Sequence, residues 1–117
     1  MNNFELGKFG ENEAVKFLEK QNCKIIARNF YCRQGEIDII AKDKEEIVFF
    51  EVKTRHNEIF GSAVDAVDNL KRKHIVAAAK YYLYSKKLIN NFIRFDVIEV
   101  YIKKNGIFIN QIRNIFI

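Results

Sequence analysis

Proline is absent from the chain, cysteine occurs only twice and glycine only five times. No Ser, Gly, Gln or Pro tract dilutes the apolar content, which argues against an intrinsically disordered segment. No apolar run approaches the roughly 18 residues that a membrane span requires. The opening Met-Asn-Asn-Phe-Glu-Leu-Gly-Lys has no basic region followed by an apolar stretch, so a cytoplasmic protein is expected. Cys23 and Cys32 lie in neither a C-x-x-C nor a zinc-like spacing, and they read as buried free thiols with no chemistry of their own. Without proline, glycine is left to mark most of the turns.

What is present is a chain of 117 residues, 49% apolar, with eleven Phe and five Tyr. That is enough for one domain with a real core and no disulfide or metal staple. Twenty Lys and Arg stand against fifteen Asp and Glu, a formal charge of +5. The excess favours polyanionic partners without specifying one.

Gly7, Glu11, Ala14 and Leu18 recur at helical spacing, with Val15 alongside, and predict a helix from about Phe4 to Lys20 that Asn22 stops. One member of that stripe is a carboxylate. Lys24 to Tyr31 is β-rich, and Gln34-Gly35 turns the chain. Glu36 to Lys42 and Ile47 to Thr54 then form a hairpin across the polar stretch Asp43-Lys44-Glu45-Glu46. The segment from Arg55 to Val67 reads as a loop with room for a turn of helix. Asp68 is the expected N-cap of a second helix running to about Lys86, apolar on most sides through Ile75, Val76, Ala78, Ala79, Tyr82 and Leu83. Phe92 to Lys103 and Ile107 to the C-terminus read as two strands joined around Asn105-Gly106. The order is αβββαββ, in one domain.

Chemistry is expected on the hairpin. Side chains alternate along a strand, so Glu51 and Lys53 share a face with Ile47 and Phe49, while Val48, Phe50 and Val52 take the other. On the preceding strand Glu36, Asp38 and Ile40 share a face, and Ile37, Ile39 and Ala41 form an apolar row. A turn centred between Lys44 and Glu45 sets Asp43 opposite Glu46, Ile40 opposite Phe49, Asp38 opposite Glu51 and Glu36 opposite Lys53. Carboxylates at directly paired positions repel unless a cation lies between them. A divalent metal answers that need: carboxylate oxygens plus waters suit Mg²⁺ or Mn²⁺, with Lys53 beside them to orient or deprotonate a water. This is the layout that phosphodiester hydrolysis needs. The same E-x-K pattern is also what a solvated face with a cross-strand ion pair looks like.

Five separated blocks then carry a resemblance. Gly7, Gly10, Glu11 and Ala14, the run Gly35 to Ile40 (G-E-I-D-I-I), the run Phe49 to Arg55 (F-F-E-V-K-T-R), Lys71 with Ala78 and Ala79, and Arg94 to Asp96 (R-F-D) together resemble the YraN family of small bacterial proteins. The resemblance covers nearly the whole chain. It implies an α/β, restriction-endonuclease-like three-layer fold, with a mixed central sheet of about five strands flanked by helices, similar to that of Holliday junction resolvases. It further implies a PD-(D/E)XK nuclease that hydrolyses DNA, branched or damaged substrates included, with Asp38 and Glu51 as metal ligands, Lys53 as the catalytic lysine and Glu11 completing the metal shell from the first helix. Ile37 stands where the signature has Pro, a replacement common in the superfamily.

Around these, Glu36 is expected to hold the geometry of Lys53. Lys71, on one stripe with Val67, Ile75 and Ala78, suits a phosphate contact or simply snorkels to solvent. Arg28, Arg33, Arg55, Arg72, Lys73 and His74 offer a basic rim for a nucleic-acid backbone, though ordinary solvation explains scattered cations equally well. Asp96 is expected to pair with Arg94. Two further readings stay open: a catalytically inactive nucleic-acid-binding module serving a DNA-processing partner, and a structural protein that forms a homodimer through its apolar C-terminal strand.

Overall fold

A computed structural model describes residues 1–56 and 69–115. The elements are α1 (Asn3–Lys20), β1 (Lys24–Cys32), β2 (Gly35–Asp43), β3 (Glu46–Arg55), α2 (Asn69–Ser85), β4 (Phe92–Lys103) and β5 (Gly106–Ile112). This is the αβββαββ order that the periodicity predicts. The expected N-cap Asp68, Val67 and most of the loop before it lie outside the described residues. No helix among those described is long and apolar enough to cross a membrane.

Helix α1 begins at a reciprocal cap. The Asn2 side chain accepts from the Glu5 backbone N–H at 2.8 Å, and the Asn2 N–H donates back to the Glu5 carboxylate at 3.3 Å, satisfying two of the donors that a helix start leaves unpaired. It ends where Asn22 takes a left-handed φ of 66°, a conformation that asparagine tolerates well. Its buried stripe is Gly10, Glu11, Ala14 and Leu18. Gly7, expected in that stripe, is exposed. Gly10 takes its place because the helix lies against Thr54 there: a Cβ at Gly10 would collide with the Thr54 side chain.

The five strands lie in the order β1-β2-β3-β4-β5, antiparallel except for β3 and β4. That parallel pair needs a crossover, and α2 supplies it. The sheet is covered on both sides, giving three layers. On one side α1 packs Ala14 and Leu18 on Ile39, Ala41, Val48, Phe50, Ile98 and Val100. On the other, α2 packs Ile75, Ala78, Ala79, Tyr82 and Leu83 on Ile37, Ile40, Ile47, Phe49 and Val97. The Tyr82 ring meets those of Phe30 and Phe49 edge-on, at 5.1 and 6.2 Å, the arrangement the ring quadrupoles favour.

Two expectations about packing are corrected. Helix α2 is not apolar on most sides: it buries one stripe and leaves Tyr81 and Tyr84 exposed. The last strand stops at Ile112 rather than continuing to the C-terminus. Beyond it the chain still runs beside β4 without regular pairing, the Ile115 N–H donating to the Phe95 carbonyl at 3.1 Å and the Asn114 N–H to Asp96 at 3.1 Å.

This segment is anchored by a closed ion cluster. Arg94 is buried on β4. Its Nε donates to both Asp96 oxygens at 3.0 and 3.1 Å, its Nη1 to Glu46 at 2.8 Å and its Nη2 to Asp43 at 3.1 Å. Asp96 also accepts from Gln111 Nε2 at 2.9 Å. One guanidinium thus ties the β2–β3 turn to β4, and Asp96 ties β4 to β5. The expected pairing of Asp96 with Arg94 is present within this larger network.

Candidate active site

The hairpin register is as expected where the strands pair: Asp43 faces Glu46, Lys42 faces Ile47, Ala41 faces Val48, Ile40 faces Phe49 and Ile39 faces Phe50. The ladder ends there, one step short of Asp38 and Glu51. Beyond that point β2 continues on β1 and β3 continues on β4, so the two central strands part. Asp38 fills the fork, its Oδ2 accepting from the Val52 N–H at 2.8 Å. A side-chain carboxylate thus takes a backbone donor that the antiparallel ladder no longer satisfies.

The fork also breaks the side-chain alternation. Ile37, Ile39 and Ala41 do not form one row: Ile39 and Ala41 belong to the α1 side, whereas Ile37 packs with Ile40 on the α2 side. The neighbouring strand shifts in step. Arg28 pairs with Ile39 and Phe30 with Ile37, and Asn29 between them has a left-handed φ of 51°. Arg28 and Asn29 consequently both reach the same carboxylate of α1. Arg28 Nη2 donates to Glu11 Oε1 at 3.3 Å and to Asn12 Oδ1 at 2.6 Å, and Asn29 Nδ2 donates to Glu11 Oε1 at 2.7 Å.

Two cavities meet at Asp38. One, of about 520 Å³, is lined by Glu11, Asn29, Asp38, Lys53, Thr54 and Arg55 along with the first turns of α1. The other, of about 390 Å³, is lined by Gln34, Glu36, Asp38, Glu51, Lys71 and His74 among others. Gly35 permits the second, because a Cβ there would fall 2.9 Å from the His74 carbonyl oxygen. The β1–β2 turn therefore seats directly on the first turns of α2, which carry Lys71.

Glu51 is buried and held by two ammonium groups. Lys71 Nζ lies 2.6 Å and Lys53 Nζ 3.5 Å from its Oε1. Sequence spacing gave Lys71 a phosphate contact or a snorkelling role; in the structure it is the nearest cation to the candidate ligand. Glu36 is exposed and outside the β2–β3 ladder, so the expected facing of Glu36 and Lys53 is not formed, and Lys53 turns to Glu51 instead. Asn29 and Arg28 as partners of Glu11 were not expected. The one local signal is an asparagine in the middle of a β-rich run, where it is a poor strand former.

The electrostatics follow from crowding. Burial, and next the charge of Glu51, push the Asp38 carboxyl up to about 7, against the opposing pull of the Val52 N–H. Burial, and next Lys71, lower the Lys53 ammonium. For Lys71 burial works downward too, but the bond to Glu51 prevails and the net direction is up. The site thus crowds one carboxyl toward its neutral form and sets two ammonium groups against the other carboxylate.

Among the described residues no three His, Cys, Asp or Glu side chains are grouped as a metal-holding set. Asp38 and Glu51 are electrostatically coupled, and Glu11 acts on Asp38 more weakly while engaged by Arg28 and Asn29. The donor set that fits a divalent cation is therefore the pair Asp38 and Glu51: hard oxygen ligands, with the Lys71 ammonium standing where positive charge is wanted.

The family comparison fits these residues. The model of the Uncharacterised protein family UPF0102 matches residues 10–100, which span Glu11, Asp38, Glu51, Lys53 and Lys71. A UPF0102 protein of Caldicellulosiruptor saccharolyticus is 46% identical over 99% of this chain and all of its own length. One from Clostridioides difficile is 48% identical over the same shares, and one from Clostridium perfringens is 50% identical over 84% of this chain and 80% of its own. The chain belongs to the UPF0102 family, the YraN family that its sequence blocks resemble.

Proposed function

We propose that the protein is a Mg²⁺- or Mn²⁺-dependent cytoplasmic nuclease that hydrolyses phosphodiester bonds in DNA, with Asp38 and Glu51 as metal ligands and Lys53 as the catalytic lysine. The observation that carries this reading is the fork. The β2–β3 ladder opens at the position of Asp38 and Glu51, and the carboxyl caught there is raised to about 7 by burial and by its neighbour. Folding tolerates such crowding poorly, and perturbed carboxylates beside a cavity mark functional sites more often than structural ones.

When bound, the divalent ion would supply Lewis acidity at a phosphoryl oxygen and a more acidic water. The chain's own groups do the rest. Asp38 is fixed by the Val52 N–H and Glu51 by its strand, so their oxygens need little reorganisation. Lys53, half-buried and lowered in pKa by burial and by Lys71, orients the attacking water or takes its proton. Lys71, which lines the same cavity as Glu51, would meet substrate phosphate there. Glu11 keeps Arg28 and Asn29 in place and so shapes the α1-side cavity; Arg55 lies on the wall of that cavity as a phosphate contact.

A second reading, an inactive DNA-binding module, is favoured by the Lys71–Glu51 ion pair, which neutralises the site without a metal. Incubation of linear and branched DNA with Mg²⁺ or Mn²⁺ separates the two. Cleavage by the parent, lost in Glu51→Gln and Lys53→Ala and in chelator, is expected of the enzyme; equal behaviour of all three proteins rejects it.

A further inference from the structure

The proposed chemistry draws on the sheet wall of the α1-side cavity, and the helix wall has features of its own. Asp38, Lys53 and Arg55 line the cavity from the sheet, and Phe4, Gly7, Lys8 and Glu11 line it from α1. Those four stand at i, i+3, i+4 and i+7, a single stripe of the helix, over about 10 Å of its axis. The reciprocal cap of Asn2 and Glu5 fixes the turn that carries Phe4.

Two residues of that stripe are costly for a helix that serves only to pack. Phe4 is 72% exposed, although a large aromatic ring gains by burial. Gly7 costs about 1 kcal/mol of helix propensity relative to alanine, yet nothing lies within 4 Å of where its Cβ would stand. No close approach requires this glycine, in contrast to Gly10. A single exposed ring is ordinary by itself; this one borders a cavity that also holds Asp38 and Lys53. Lys8 Nζ lies 5.9 Å from the ring centroid, which joins a cation to the aromatic face. A stacking surface, open space at Gly7 and the cations Lys8 and Arg55 together form what a nucleotide with a splayed-out base requires.

We propose that the α1-side cavity is a subsite for an unpaired nucleotide next to the scissile phosphate, with the base stacked on Phe4 over Gly7 and the phosphate met by Lys8 and Arg55. In a duplex both faces of a base are covered by its neighbours, so only a base out of the stack can use the ring. The substrate class is therefore DNA with a single-stranded or flapped segment. The proposal deepens the nuclease reading and rests on it for the ligand being a nucleic acid.

The test measures binding of a labelled single strand by fluorescence anisotropy in chelator, where no cleavage occurs, beside an abasic strand of the same length and a duplex of the same sequence. The parent is expected to bind the base-bearing strand at least about fivefold more tightly than the abasic one. Phe4→Ala should lose at least about fivefold on the single strand and change within about twofold on the duplex. Its slope of log affinity against log salt should match the parent, because no charge is removed. Phe4→Trp should restore binding, and Gly7→Leu, which fills the open space with a good helix former, should lose as Phe4→Ala does. Tyr84→Ala, which removes a ring that is 77% exposed on α2, should stay within about twofold of the parent. Thermal unfolding establishes that the variants fold. Equal affinity for the two strands, an unaffected Phe4→Ala, or a loss shared equally with the duplex or with Tyr84→Ala each overturns the proposal. The nuclease reading fails separately: base-dependent binding is lost in Phe4→Ala, yet Mg²⁺ brings no cleavage by the parent. Cleavage by a parent that shows none of these binding differences keeps the nuclease and overturns the subsite.

Discussion

Two clusters of buried charge lie on β3, about 16 Å apart at the usual rise of a strand, and they are solved in opposite ways. At the start of the strand Arg94 satisfies Asp43, Glu46 and Asp96 with four hydrogen bonds, and Gln111 and Asn114 complete Asp96. Every charge there has a directed partner. At the fork, Glu51 faces the partly solvated ammonium groups of Lys53 and Lys71, Glu11 faces Arg28, and the crowded Asp38 carboxyl is raised to about 7. The difference teaches which cluster is structural. A guanidinium shared among three carboxylates in a closed network holds strands together, whereas ammonium groups on crowded carboxylates suit the exchange for a metal ion proposed at the fork.

Removing the guanidinium should break the first cluster outright. Arg94→Met leaves three acidic groups around an apolar side chain, and a loss of about 3 to 5 kcal/mol is expected in urea unfolding, the usual cost of breaking a buried ion pair from one side. The fork should respond with the opposite sign. The folded Asp38 carboxyl, at about 7 against an ordinary 3.8, binds its proton more tightly than the unfolded chain does. Its contribution to stability is therefore fully present below about pH 4 and is lost as pH rises through about 7. Asp38→Asn, which keeps an acceptor for Val52 and carries no charge, should match the parent near pH 4 and exceed it by about 2 kcal/mol above pH 8 in chelator. Coincident pH profiles would mean that the carboxyl is not crowded.

Cation exchange at Glu51 gives a smaller effect. In Lys71→Met the resident ammonium is gone, and Mn²⁺ measured by titration calorimetry should bind about fivefold more tightly, a discounted figure for a half-exposed lysine. Weaker binding would make Lys71 a support for the metal site rather than a stand-in for its cation. Smallest are the glycine exchanges that test the seating of α1. Gly7→Ala, with open space around it, should stabilise by up to about 1 kcal/mol through helix propensity. Gly10→Ala should destabilise by about 1 kcal/mol, because the crowding against Thr54 outweighs the same gain. Thermal unfolding of the pair checks both signs.

Much of this was legible from local rules. The hairpin register followed from the polar turn and the burial of alternating residues, and the structure pairs Ile40 with Phe49 and Asp43 with Glu46 as those rules require. The helices, the strand order along the chain and the pairing of Arg94 with Asp96 were readable in the same way, because neighbours in sequence make those contacts. Ile37 was misplaced because alternation assumes an unbroken pleat, and the fork at Asp38 breaks it. The extent of α2 burial and the end of the last strand were missed for a related reason: hydrophobicity marks what can be buried, not how much partner surface exists to bury it.

The linear order of residues determined the element types, the in-line register of the hairpin and the choice of Asp38, Glu51 and Lys53 as chemistry-bearing groups, since each depends on spacing over a few residues. Only the folded chain decided that Lys71 sits on Glu51 from a helix twenty positions away, and that Arg28 and Asn29 take Glu11. Those outcomes depend on which surfaces the crossover brings together, and no short-range periodicity encodes a distance between elements.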